Sequence, residues 1–368
     1  MDAGQQESER LLRQIERNVI GFYSEAKKDI EYKFNEFNRK FLLKDTVKRK
    51  QLKAGEITQK EYIDWLRGQI MAGQRWQQQL DVISADLTNA HNIAQSMVNG
   101  YMPEMYAIGH NYGTYQIENI GRISTSYTLY DRQTVERLIR DNPDLLPALK
   151  PQSETARRIA EGKIKKWTKA QIQSNCLQGI LQGESIPEIA ERISNITKQE
   201  ATSTIRYART MTTGAENAGR TDSYKRAEKM GIEMEQQWLA TLDSRTRESH
   251  RDMDGEHVKV GEPFSNGCEY PGDPNGDPAS IWNCRCTLLP MLTGIPELEE
   301  SNDVSNISLR DTSHLEQQTY TDWKKGKMKS QPILKQKQTG EAIKWAFIKQ
   351  YREAATRLED VDLEDVDL

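Results

Sequence analysis

The sequence predicts a mainly α protein, with a long helical N-terminal region followed by a small, loop-rich α+β module towards the C-terminus. Three observations carry this. Apolar residues recur at steps of three and four over most of residues 12–97, the period of one helix face. The 368-residue chain is 36% hydrophobic and 29% charged, a balance that suits amphipathic helices with wet outer faces better than a large buried sheet. The helical period is then lost between Gly261 and Pro290, where glycine and proline crowd among polar turns.

The first stripe runs through Leu12, Ile15, Val19, Phe22, Ala26, Ile30, Phe34, Phe37 and Phe41. The second opens on Thr58-Gln-Lys-Glu61, a capping box in which hydroxyl and carboxylate satisfy the helix's orphan amides. It continues through Leu66, Ile70, Gly73, Trp76, Leu80, Ile83, Leu87, Ala90, Ala94 and Met97. Two such helices bury their stripes on each other as an antiparallel hairpin. A tyrosine-rich stretch follows (Tyr101, Tyr106, Tyr112, Tyr115, Tyr127, Tyr130, with His110), suited to an interface or to half-buried packing. Asn142-Pro-Asp-Leu-Leu-Pro147 breaks the pattern. A second helical block starts near Ser153, with a further capping box at Ser185-Ile-Pro-Glu188 and a C-terminal cap at Gly231. Short strands are expected at 238–242 and 257–260.

These patterns divide the chain into a long-helix region over 1–145, a helical block with the module over 150–295 (core motif 238–290), a polar linker over 296–340, a C-terminal helix over 341–358 and an acidic tail over 359–368. The tail repeats Leu-Glu-Asp-Val-Asp from Leu358 and again from Leu363. No apolar run approaches the roughly 18–20 residues of a membrane span, and residues 1–8 lack the basic and apolar regions of a signal peptide. A net charge of −4 gives no reason to expect bulk nucleic-acid affinity, although local basic patches can still act.

Four cysteines are too few for a disulfide framework, but Cys268, Cys284 and Cys286 fall close together. With His250 they offer one imidazole and three thiols, a soft donor set suited to a structural zinc ion. Against that stand the Cys-x-Cys spacing, less diagnostic than Cys-x-x-Cys, and the competing reading of buried thiols beside a hydrogen-bonded histidine. Two basic stretches offer phosphate contacts: Arg157, Arg158, Lys163, Lys165, Lys166 and Lys169 in the second helical block, and Lys324, Lys325, Lys327 and Lys329 after Trp323. A solvated helix face is their ordinary explanation.

The order Trp238-Leu-Ala-Thr-Leu-Asp243-Ser-Arg245-Thr-Arg247-Glu-Ser-His250, Met253-Asp254-Gly255, Phe264, Tyr270-Pro-Gly-Asp-Pro274 and Asn283-Cys284-Arg285-Cys286 resembles the Mu F-like phage head morphogenesis family, the minor head proteins of tailed bacteriophages. Tyr207-Ala-Arg-Thr210 through Asn217-Ala-Gly-Arg220 and Tyr224 resembles the helix that precedes that module. The resemblance covers roughly 190–290 and assigns Asp243, Arg245, Arg247, Asp254, Gly255, Asn283 and Arg285 to the structural core of the motif. Many members carry Cys-x-x-Cys where this chain has Arg247 and His250, and a histidine before Cys-Arg-Cys where it has Ala279-Ser-Ile-Trp282, so two would-be ligands are missing.

The resemblance implies a minor capsid protein, present in few copies inside the head near the portal vertex and taken up from the host cytoplasm during procapsid assembly. It implies a portal, scaffold or major capsid protein as partner; contact of the basic stretches, through Arg157, Arg158, Lys165, Lys166, Lys324 and Lys325, with packaged double-stranded DNA is the sharper alternative to a solvated helix face. No catalytic constellation is expected. The rival readings are a metal-dependent nuclease or toxin-like effector, and an assembly factor that leaves before the particle matures.

Overall fold

The computed structural model describes residues 2–293, 319–329 and 346–353, apart from 73, 122, 124, 126, 150–152, 183 and 185. The chain divides into two compact units, each assembled from separated stretches. The first takes residues 1–15, 98–150 and 206–337, and the second 16–97, 151–205 and 338–368. The fold is mainly α with one small sheet, as the periodicity predicts.

The long helices are α1 (Ala3–Lys53), α2 (Gln59–Ala72), α3 (Gln74–Asn99), α4 (Met102–Ile120), α6 (Glu154–Leu181) and α7 (Ile186–Lys229), with the short α5 (Arg132–Asp141) after α4. Gly73, Ser185 and the side chains of Phe34, Phe37, Phe41, Ile70 and Trp76 lie outside the described residues. The rest of the first stripe is buried from Ile15 to Ile30. The capping box forms as read: Glu61 N–H donates to Thr58 Oγ1 at 3.2 Å, and Thr58 N–H to Glu61 Oε2 at 2.7 Å. At the end of α7, Gly231 takes φ +87° and Ile232 N–H reaches back to Ala227 O at 3.1 Å, closing the helix with the left-handed residue a side chain would penalise.

In the second unit, Ile30, Tyr62, Leu66, Leu80, Ile83, Leu87, Ile172, Cys176 and Ile193 share one core, so the partner of the first two stripes is a bundle including α6 and α7 rather than a hairpin alone. A further helix over 346–353, inside the expected C-terminal helix, packs here: Tyr351 meets Phe22 edge-on at 5.4 Å. The acidic tail lies outside the described residues.

The first unit holds α4, the C-terminal half of α7 and a three-stranded antiparallel sheet in the order β2-β1-β3, with β1 Met234–Leu239, β2 His257–Lys259 and β3 Thr287–Leu292. Between the strands lie α8 (Glu248–Asp252) and α9 (Pro278–Ile281). The strand read at 238–242 starts earlier and ends at Leu239, and β3 carries no period-two signal because almost every residue is buried.

Helices α4 and α7 touch backbone to backbone. A Cβ on Gly109 would lie 1.9 Å from Glu216 O, and one on Gly219 would lie 2.1 Å from Tyr106 O. The tyrosine-rich stretch is core rather than free surface: Tyr101, Tyr106, Tyr112 and Tyr127 are buried, and His110 stacks on Tyr130 with ring centroids 3.8 Å apart. Within the segment expected to be linker, α10 (Tyr320–Lys329) docks by Tyr320 and Trp323 on Tyr112 and Tyr115, with Trp323 Nε1–H donating to Glu118 at 2.6 Å.

Candidate functional site

The motif residues converge where the C-terminal half of α7 meets the sheet and its loops. As the sheet's edge strand, β3 would leave its outward backbone groups unpaired. Two side chains one turn apart on α7 supply the partners. Asn217 Oδ1 accepts from Leu288 N–H at 3.2 Å and Arg220 Nη1 donates to Leu288 O at 3.2 Å. Asn217 Nδ2 also donates to Pro271 O at 3.2 Å and Cys286 O at 3.1 Å, so one amide ties two loops and the edge strand to the helix. Arg220 is fully buried, which a guanidinium tolerates only when its charge is paired, and both of its terminal nitrogens are bonded. Glu216 Oε1 accepts at 2.9 Å, Asp2 Oδ2 at 3.3 Å and Gln116 Oε1 at 3.2 Å, and the Tyr112 ring lies 4.8 Å below the charge.

The Asn-Cys-Arg-Cys turn is built the same way. Asn283 adopts φ +55°, the left-handed conformation asparagine tolerates best after glycine, and its N–H donates to Thr210 Oγ1 at 3.1 Å. Thr213 Oγ1 donates to Cys284 O at 2.7 Å, and Thr241 Oγ1 to Arg285 O at 2.6 Å. The Arg285 guanidinium grips Asp243 through both nitrogens, at 2.5 and 2.7 Å. That fork holds the Asp243 carboxyl well below the usual carboxylate range, helped by the Arg245 N–H at 2.8 Å. The Arg245 side chain itself is largely in solvent. Asp254 Oδ1 accepts from Ala240 N–H at 2.8 Å, and Gly255, at φ +93°, donates its N–H to Trp238 O at 2.9 Å.

Of the four sequence-predicted metal donors, the structure brings three together. The ligand atoms of His250, Cys284 and Cys286, all buried, lie within 4.8 Å of one another. Cys268 is not among them. It is buried beside Gly276, and burial together with Asp273 and Asp277 pushes its thiol up to about 11. Closeness in sequence misleads here because the intervening turns, fixed by Asp273 accepting from Glu269 N–H and Asn275 N–H at 2.9 Å, carry Cys268 to a different place.

His250 Nδ1 is 3.2 Å from Cys286 Sγ and 3.8 Å from Cys284 Sγ. On its other side Arg247 Nη1 is 3.2 Å from Nε2. Arginine only donates, so Nε2 accepts and the proton sits on Nδ1, aimed at sulfur. The Cys284 thiol also donates to Cys286, and these bonds, with the Trp238 indole nearby, outweigh burial and lower the Cys286 thiol to about 5. Cys284, giving its proton to that bond and buried, is raised in turn. Trp238 closes the floor of the cluster, edge-on to His250 at 6.1 Å and to Phe264 at 5.2 Å.

This donor set does not fit a closed zinc site. Structural zinc takes four protein ligands, whereas three converge here among the described residues. The group next to His250 is a cation.

The basic residues distribute unevenly. On α6, Arg158 pairs with Glu154 at 2.6 Å, while Lys165 and Lys166 are exposed beside the exposed Trp167; the Arg157 side chain lies outside the described residues. On α10, Lys324 bonds Glu7 at 2.6 Å and Lys327 bonds the buried Glu118 at 2.8 Å, so both serve to dock the helix; Lys325 stays exposed, 3.6 Å from Asp322. Sequence reasoning assigned no role to Asn217, Arg220 or Thr213. The available signal was a long polar pair, 217 and 220, set among Gly214, Ala215, Ala218 and Gly219 on one helix, a composition that marks close backbone approach.

Residues 170–289 match the model of the family described as Phage Mu protein F like protein. Minor head protein GP7 of Bacillus phage SPP1 is 23% identical over 326 residues, 88% of this chain and 96% of that protein. NAD(+)--arginine ADP-ribosyltransferase EFV of Enterococcus faecalis is 33% identical over 161 residues, 41% of this chain. The chain spans only 30% of the length of that relative, and 39% of an uncharacterized Haemophilus influenzae protein to which it is 25% identical. No solved structure matches.

Proposed function

We propose, from the match of residues 170–289 to the Mu F-like family and the long alignment with a phage minor head protein, that the chain is a minor head protein of a tailed bacteriophage, built into the procapsid at the portal vertex. The observation that carries the reading is the alignment with the SPP1 minor head protein, which runs nearly end to end in both chains. The site's design agrees with a structural role: its polar side chains are spent on backbone groups, strand edge and turns. Its partners on this reading are the portal protein, a scaffold or the major capsid protein. Packaged double-stranded DNA is contacted through the exposed Arg158, Lys165 and Lys166 of α6, with Lys325 on α10 as a further phosphate contact. The protein resides in host cytoplasm during assembly and inside the head afterwards. No helix among the described residues is long and apolar enough to cross a membrane.

The test is quantitative peptide mass spectrometry on purified procapsids and mature particles, normalised to the major capsid protein. A few copies in both supports the minor head component; presence in procapsids alone makes it an assembly factor; absence from both sinks the head reading. The enzymatic reading draws on one observation, the relative named as an arginine ADP-ribosyltransferase. Incubation with labelled NAD+ and an arginine-rich acceptor separates the two, since transfer of label would establish catalysis whatever the particle contains.

A further inference from the structure

The cluster of His250, Cys284 and Cys286 looks like a metal site by residue type, yet its wiring opposes one. A histidine that ligates through one ring nitrogen carries its proton on the other, and that proton is almost always received by a carboxylate, a carbonyl or water. The atom of His250 facing the two sulfurs is Nδ1. Metal binding there requires a proton on Nε2, and Nε2 faces Arg247 Nη1 at 3.2 Å. Two donors would then meet head-on, with a full positive charge beside the incoming cation. Arg247 is not free to turn away, because the same guanidinium donates to Ser280 O at 3.3 Å and to Trp282 O.

We infer that this cluster is a metal-free clasp, in which Arg247 donates to His250, His250 donates to Cys286, and the chain of hydrogen bonds fastens α8 to the Cys-Arg-Cys turn. Arg247 is the positioning residue. It fixes the imidazole tautomer on one side and holds the carbonyls of the 280–282 segment on the other. The positive charge that a zinc ion would bring to two clustered sulfurs comes instead from a side chain of the protein.

The inference is independent of the head-protein reading and is tested on the full chain. Zinc is measured by mass spectrometry of the reduced, purified protein after equilibration with zinc and removal of excess. Cobalt is used in parallel for its thiolate charge-transfer band. Wild type should retain no stoichiometric zinc, show no cobalt–thiolate band, and melt at the same temperature with and without a strong chelator. Arg247→Glu replaces the opposing donor with an acceptor for Nε2–H and should raise zinc affinity about 10–100-fold, the usual worth of such an outer partner. Arg247→Gln, which offers a neutral acceptor, should gain in the same direction by less. One zinc per wild-type chain that is lost in Cys284→Ser and Cys286→Ser overturns the inference, as does a folded Arg247→Glu that binds zinc no better than wild type. Should both Arg247 variants fail to fold, the wild-type zinc and cobalt measurements decide alone.

Discussion

Replacing Gly109 with alanine is the sharpest probe of how the first unit is held together. Mid-helix, the exchange should stabilise by roughly 0.5–1 kcal/mol, because alanine loses less backbone freedom on folding. At Gly109 a steric term opposes it. The new Cβ would sit 1.9 Å from Glu216 O, where real Cβ contacts essentially never fall below 3.0 Å, and the obstacle is backbone that cannot rotate aside. The two helices would have to part by about 1 Å, opening the packing around Tyr106 and Tyr224; overfilling of this kind costs about 1–3 kcal/mol, occasionally more. The second term is the larger, so a net loss is expected. Gly162 on α6 supplies the control, since a Cβ there meets nothing within 4 Å and its exchange should give the gain alone. Urea unfolding followed by circular dichroism reads both, as opposite shifts of the midpoint. A Gly109→Ala protein at or above the wild-type midpoint would refute the claim that α4 and α7 cross in backbone contact.

Three further outcomes follow from the same geometry. Asn217→Leu leaves Leu288 N–H, Pro271 O and Cys286 O without their side-chain partner. Each buried group stranded this way costs about 1–3 kcal/mol, so the urea midpoint should drop well beyond that of an ordinary surface variant. Asp243→Asn tests the Arg285 fork through pH. The folded carboxyl is held below its ordinary value, so its contribution is complete above about pH 4 and is lost as pH falls through the folded value. The gap in melting temperature between wild type and variant should therefore close on acidification, and a gap that does not change with pH would remove the fork as its cause. Trp323→Ala removes the buried anchor of α10 and its bond to Glu118, worth about 3–5 kcal/mol for a large aromatic. Amide exchange over 320–329 should rise sharply while exchange in α7 stays slow; unchanged protection would show that Tyr320 and the lysines suffice.

Much of the helical architecture was legible because burial of one helix face leaves a period in the sequence, and because caps such as Thr58–Glu61 and Gly231 have side-chain or backbone chemistry of their own. β3 was not legible: buried on both faces, it loses the alternation that marks a strand. The tyrosines of α4 were ambiguous by nature, since a ring with a polar end serves an interface or a core equally well, and only the surroundings decide. At the site, residue types named the participants but not their relations. Cys268 sits nearer to Cys284 in sequence than His250 does, yet His250 is the one that reaches it. Nor could composition reveal that Arg220, an arginine on a helix, is fully buried: Glu216 one turn away reads as an ordinary surface pair, and the second carboxylate, Asp2, lies more than two hundred residues away.

That separation bears on how the chain is made. Each compact unit draws on stretches that leave the ribosome at widely different times, and the first needs residues 1–15 together with 206–337. Asp2, just ahead of α1, must wait for more than two hundred further residues before Arg220 emerges to receive it. Contacts of such long range fold slowly and leave nascent chains open to aggregation. A contiguous fragment completes the first unit only if it runs over 1–337 and the second only if it runs over 16–368, and either one carries most of the other unit with it; smaller fragments for binding studies have to be designed by recombining stretches rather than by cutting the chain at one point.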